Sequence, residues 1–222
     1  MTADTILRPA PTSVRTQLPA VRLAITGAPG TGKTTLATAL SLASGLPHTG
    51  LSPESTVVTS TRRLARTVEL PIRMLERRIT AEAGTESGFV SDGSVLNEWA
   101  LAETLRRSRR FLSRLTNPRD IPNRRFEKGF LAAHGAIVAR RAAATYDAFV
   151  HLRIDPATLV GDDAEQRALA DRILLETVHA STIPYFVFGG SFEDVITQLT
   201  RLYRLPELVP ADRAVAAASK TP

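Results

Sequence analysis

The chain has 222 residues, with 28 Lys and Arg against 22 Asp and Glu, giving a net charge of +6 and an isoelectric point near 10.4. It contains no cysteine, which excludes disulfides, thiolate zinc sites and cysteine nucleophiles and fits a reducing cytoplasm. Hydrophobic residues make up 43%, enough for the core of one domain, but no run reaches the roughly 18 apolar residues of a membrane-spanning helix.

Residues 1–19 hold three prolines and no periodicity, and read as a flexible leader without the apolar stretch of a signal peptide. Ala20 to Thr26 is an apolar run of the kind that forms a buried strand. Gly27-Ala28-Pro29-Gly30-Thr31-Gly32-Lys33-Thr34-Thr35 follows, and matches G-x-x-x-x-G-K-[ST] at each fixed position. Good helix formers continue through Ala43, and Gly45 suits the C-cap. His48 to Glu54 is expected to contain a short strand and a substrate-facing loop. Arg62 to Ala83 reads as a helix broken or restarted at Pro71, and Gly88 to Asp92 as a strand ending in a carboxylate.

Val95 to Leu115 is predicted as a long helix, Asn117 to Asn123 as a loop with two prolines, and Arg125 to Thr145 as an alanine-rich helix. Ala148 to Ile154 is a strand, Asp163 to Ala180 a helix, and Pro184 to Phe188 the last strand. Ser191 is placed to cap a helix running to Leu205, and residues 206–222 are expected as a flexible tail. This alternation predicts one domain over 20–205, an α/β P-loop NTPase fold. Its mostly parallel five-stranded sheet would carry helices on both faces and ligands at the carboxyl ends of the strands.

In such a loop the glycines let backbone N–H groups converge on phosphate oxygens, and the following helix adds its positive end. Lys33 reaches the β- and γ-phosphates, and the Thr34 hydroxyl is placed for Mg²⁺. Nucleotide binding by Gly27 to Thr35 is thus expected. Asp92, at a strand end, could hold Mg²⁺, accept a proton from an attacking hydroxyl, or cap the next helix, although Ser94 is the better cap.

Leu101 to Lys128 holds nine basic side chains (Arg106, Arg107, Arg109, Arg110, Arg114, Arg119, Arg124, Arg125 and Lys128) against three acidic ones, a local charge equal to that of the whole chain. It reads as a solvated helix face, as a phosphate clamp, or more weakly as a nucleic-acid contact. Arg167 could approach the nucleotide, but its place behind Asp162, Asp163 and Glu165 reads more simply as helix-dipole patterning. Glu54 is a weaker candidate base. His48, His134, His151 and His179 lack ligand spacing, with His134 and His151 expected to be packed and hydrogen-bonded. Leu96, Trp99, Leu101 and Leu105 look like core.

The P-loop, then Phe89 to Leu96, Tyr146 to Leu152 and Ile183 to Val187 before a closing helix, resemble the NadR-type ATP-binding domains among the P-loop kinases of nucleosides and nucleotides. The resemblance spans Val21 to Leu205. It implies that Lys33 and Thr34 serve phosphate and Mg²⁺, and that Asp92 serves the metal or the acceptor hydroxyl. Those domains commonly carry Arg after the aspartate, where this chain has Gly93. The expected activity is Mg²⁺-dependent transfer of the γ-phosphoryl of ATP to a hydroxyl or phosphate of a nucleoside- or nucleotide-like acceptor, in the cytoplasm. A nucleotide-dependent regulatory ATPase and a nucleic-acid-associated ATPase are the alternatives.

Overall fold

The computed structural model describes residues 20–51, 64–85, 88–108 and 121–220. In chain order it contains β1 (Arg22–Gly27), α1 (Lys33–Ser44), β2 (His48–Thr49), a π-helical turn (Ala65–Glu69), α2 (Leu70–Ala83), β3 (Phe89–Asp92) and α3 (Val95–Ser108). After these come α4 (Ile121–Thr145), β4 (Ala148–Leu152), a 3₁₀ turn (Pro156–Thr158), α5 (Ala164–His179), β5 (Tyr185–Phe188), α6 (Phe192–Tyr203) and α7 (Ala211–Ala218).

The five strands form one parallel sheet in the order β2-β3-β1-β4-β5. Side chains alternate across it, as a sheet covered on both faces requires. Leu23, Ile25, Val90, Val150 and Leu152 point to a core shared with α1, α6 and α7. Ala24, Phe89 and Phe149 point to a second core with α3, α4 and α5. This is the α/β P-loop NTPase architecture expected. β1 lies at its centre, so its end is flanked by the ends of β3 and β4. Ile25 pairs with Asp92 and Gly27 with Leu152.

Three elements differ from the sequence reading. Chain past Leu205, expected as a flexible tail, turns back and forms α7, with Ala214 and Ala218 buried against the core. The Leu208 amide donates to the Ala43 carbonyl at 2.7 Å, tying the turn to the end of α1. Small side chains make this close packing possible, and composition alone reads the same residues as a tail. α4 starts at Ile121 rather than Arg125, because Pro122 falls in the first turn, where its missing N–H costs no helix bond. Pro71 lies in the first turn of α2, as expected of a restart, but the segment before it is a π-helical turn, with the Leu70 amide bonding back to the Ala65 carbonyl. The expected leader, Glu54, Arg109, Arg110, Arg114 and Arg119 lie outside the described residues.

Candidate functional site

β1 stops at Gly27 and α1 begins at Lys33, so the loop between them sits over the carboxyl edge of the sheet. Gly32 enters α1 with φ 83°, and a Cβ there would lie 2.5 Å from Cζ of Phe192, so both conformation and space demand glycine. The loop is braced internally. The Thr31 hydroxyl donates to the Ala28 carbonyl at 3.0 Å, and Lys33 Nζ donates to the same oxygen at 2.8 Å. The amides of Gly30, Gly32, Lys33, Thr34 and Thr35 have no acceptor among the described residues. They form a nest for an anion at a helix N-terminus. Burial lowers the pKa of the Lys33 ammonium, while Asp92 and Glu98 work to keep it charged.

Asp92 faces this loop. Its Oδ2 accepts the Thr34 hydroxyl at 2.7 Å, bringing together two hard oxygen donors. Asp92 does not cap α3. That role falls to Ser94, whose hydroxyl accepts the Leu96 amide at 3.2 Å, while Asn97 Oδ1 accepts both the amide and the hydroxyl of Ser94. Asn97 also donates to the Gly27 carbonyl at 3.3 Å and so fixes α3 against the P-loop. No group of three or more His, Cys, Asp or Glu able to cage a metal occurs among the described residues. One carboxylate and one hydroxyl beside a phosphate nest suit Mg²⁺, which keeps most of its shell as water and substrate oxygens.

Beneath Asp92 lies a buried polar network. Arg78 on α2 is 4% exposed. Its guanidinium donates to Ser91 Oγ and to the Asp92 carbonyl at 3.1 Å each, and to Glu98 Oε1 at 2.7 Å. Ser91 and Tyr146 hydroxyls both donate to Glu82 Oε1. Burial raises the pKa of Glu82 and pushes that of Tyr146 well up. Gly93 has φ 93°, and a Cβ on it would fall 2.8 Å from Arg78 Nη2, so the guanidinium occupies the space a side chain at 93 would need.

Two cavities open on opposite sides of the P-loop. One, of about 610 Å³, is lined by Gly30, Thr31, Arg153, Asp155, Thr158, Gly189, Gly190 and Phe192. The other, of about 380 Å³, is lined by Gly27, Pro29, Lys33, Arg66, Leu70, Met74, Asn97, Glu98, Leu101 and Leu174. Leu101, expected in the core, is 37% exposed and part of this wall. Arg167 stands at the loop itself, donating to the carbonyls of Pro29 at 3.1 Å and Thr158 at 3.0 Å. The simpler reading of Arg167 as dipole patterning is therefore corrected: α5 delivers its guanidinium to the P-loop.

A family model described as AAA domain matches residues 22–194. The chain belongs to the AAA domain family. The match takes in the P-loop, Asp92, Arg167 and every residue lining the two cavities except Val195, and it identifies a P-loop NTPase domain of nucleotide hydrolase or kinase type. No curated protein matches the chain. Among the described residues no helix is long and apolar enough to cross a membrane.

Other candidates fall elsewhere in this AAA domain. Arg106 and Arg107 both pair with Glu103 at the end of α3. Burial favours the neutral Glu103, but the two guanidiniums outweigh it and hold its carboxyl below the usual value. His151 is fully buried behind the loop, its Nδ1 3.0 Å from Thr26 Oγ1 and its Nε2 3.2 Å from Asp171 Oδ1. His134 is buried on α4, ring to ring with Phe130. Both histidines are packed, as their sequence positions suggest. Asn97, Glu98, Arg78 and Arg66 escaped the sequence reading. Ser94, Asn97, Glu98 and Leu101 follow i, i+3, i+4, i+7 spacing, a signal of one shared helix face that could have found the α3 members.

Proposed function

We propose that this domain is a Mg²⁺-dependent kinase of the NadR-type group, moving the γ-phosphoryl of ATP to a hydroxyl or phosphate of a nucleoside- or nucleotide-like small molecule. The observation that carries the reading is the pair of cavities meeting at the P-loop. A hydrolase needs room for a nucleotide and water. A second cavity lined by Lys33 and largely by apolar side chains offers room for an acceptor.

On this reading Gly27 to Thr35 cradle the triphosphate, and the unpaired amides of the loop take its oxygens. The ammonium of Lys33 leaves the Ala28 carbonyl for the β- and γ-phosphates. Thr34 and Asp92 hold Mg²⁺, which, when bound, neutralises charge on the phosphates. Asp92 is tied to Thr34, so it serves the metal rather than the acceptor. Arg167 exchanges its carbonyl partners for charge developing on the transferred group. The partners are small molecules, and nucleic acid remains the weaker proposal.

Incubation with γ-labelled ATP, Mg²⁺ and a panel of nucleosides, nucleoside monophosphates and pyridine ribosides tests this, with Lys33→Ala as the blank. Label on one acceptor is the expected result. Label appearing as free phosphate alone would favour the second reading, a nucleotide-dependent regulatory ATPase, which membership of the AAA domain family also accommodates.

A further inference from the structure

Among the described residues, the cavity of about 380 Å³ beside Lys33 is lined by one carboxylate, Glu98, and its two oxygens differ. Oε1 accepts Arg78 Nη2 at 2.7 Å. Oε2 is shut away from solvent and has no hydrogen-bond donor among the described residues. An ionised carboxylate is an acceptor only, and a buried oxygen without a donor is costly to keep. The charge is nevertheless fixed in place. Arg78 is itself anchored by the Ser91 hydroxyl and the Asp92 carbonyl, and the bare Cα of Gly93 leaves the guanidinium its room. One buried arginine therefore links the backbone of the carboxylate facing Thr34 to the side chain of the carboxylate facing the cavity.

We propose that Glu98 is the acceptor-binding carboxylate of this site: pivoting on its Oε1–Arg78 bond, it turns the enclosed Oε2 into the cavity to take a hydrogen bond from the acceptor's hydroxyl, and Arg78 is the positioning residue that sets it relative to Asp92. This rests on the kinase reading above and narrows it: an ionised carboxylate can only accept, and a reacting hydroxyl brings it a proton where the dianion of a phosphate acceptor brings none, whatever Lys33 and Arg66 contribute elsewhere on the same wall. Asp92, held by Thr34, and Glu98, held by Arg78, then divide the two roles, metal side and acceptor side. In the transfer, the acceptor oxygen forms a bond to the γ-phosphorus as the bond from phosphorus to the β,γ-bridging oxygen breaks. ADP leaves with that bond's electron pair, and the hydroxyl proton passes to Glu98 Oε2. The rest of the wall combines the polar side chains of Lys33, Arg66 and Asn97 with Leu70, Met74, Leu101 and Leu174, apolar groups that suit the flat face of a heterocycle.

The test uses the full chain with γ-labelled ATP and Mg²⁺. The probes are adenosine, uridine and a pyridine riboside, each beside its 5′-monophosphate, and binding of a fluorescent ATP analogue is followed in parallel. Wild type is expected to label a riboside and not the monophosphates. Glu98→Gln should lower that transfer by about a hundredfold or more, the scale of a lost general base, while affinity for the ATP analogue stays within about threefold. Glu98→Asp keeps the charge beside Arg78 but withdraws it by one methylene. It should raise the riboside KM about tenfold, the scale of one misplaced hydrogen bond to a charged group. Arg78→Lys should do the same while leaving the KM for ATP within about threefold, a split that a merely structural role would not give.

Riboside transfer at the wild-type rate in Glu98→Gln, or preferential labelling of a monophosphate, would overturn the proposal and leave the kinase reading standing. If Glu98→Gln loses the ATP analogue through misfolding, an unchanged riboside KM in Glu98→Asp would overturn it instead. Wild type that labels no acceptor would overturn the kinase reading and this inference together.

Discussion

Single residues divide the labour at the P-loop, and the division makes separable predictions. Asp92 bonds Thr34, while Ser94 caps α3. Asp92→Asn should therefore cost catalysis and not helix stability. Turnover is expected to fall about a hundredfold or more, the scale of lost metal-ion charge stabilisation, with the urea midpoint within the scatter of wild type. A loss of about 1 kcal/mol with little change in rate would mark a cap instead. Lys33→Ala should abolish phosphoryl transfer while the fold persists, checked by circular dichroism alongside the labelled-ATP assay. Gly93 tests the buried network. Its φ is 93°, and Arg78 Nη2 lies 2.8 Å from where a Cβ would stand, so Gly93→Ala should cost about 1–3 kcal/mol in urea unfolding. An unchanged midpoint would mean that Arg78 gives way freely.

Among the elements, α4 and α7 carry the consequences. His134 on α4 is buried, and its Nε2 has no hydrogen-bond partner among the described residues, so a proton there would find no acceptor among them. Burial lowers its pKa from 6.5, with a bond to the Pro71 backbone working the other way. The sign follows from the folded state binding this proton less readily than the unfolded one. The contribution is fully present above pH 6.5 and is lost as pH falls toward the folded value. Stability followed from about pH 7.5 to about pH 5 should decline, and His134→Gln should flatten that decline. An identical slope in the variant would place the titration elsewhere. α7 buries Ala214 and Ala218 against the core containing α1, so ending the chain at residue 209 should lower the thermal midpoint and weaken nucleotide binding through α1. A midpoint equal to wild type would show the helix to be dispensable.

At the scale of the whole molecule, what the sequence made legible was what lies contiguous in it. The strand, glycine loop and helix from Arg22 to Ser44 occupy adjacent positions, and the alternation of β1, β3, β4 and β5 with helices implied the parallel sheet. Asp92 could be paired with the loop because parallel order sets strand ends side by side. The remainder depended on distance across the fold. Arg78 and Glu98 meet from α2 and α3, twenty positions apart, and no local pattern marks them as partners. Arg167 shows the usual charge pattern of a helix start, and only the placement of α5 brings it to Pro29. α7 was hidden because alanine and proline suit a tail and a tight helix contact equally well.

The most direct test of the central claim is a single-turnover experiment, with enzyme in excess over γ-labelled ATP and the riboside panel present. The quantity read is the share of label on the acceptor against the share released as phosphate. Transfer predominantly to an acceptor, lost in Lys33→Ala, is the predicted result. Label released as phosphate in equal amount with and without the panel would contradict it.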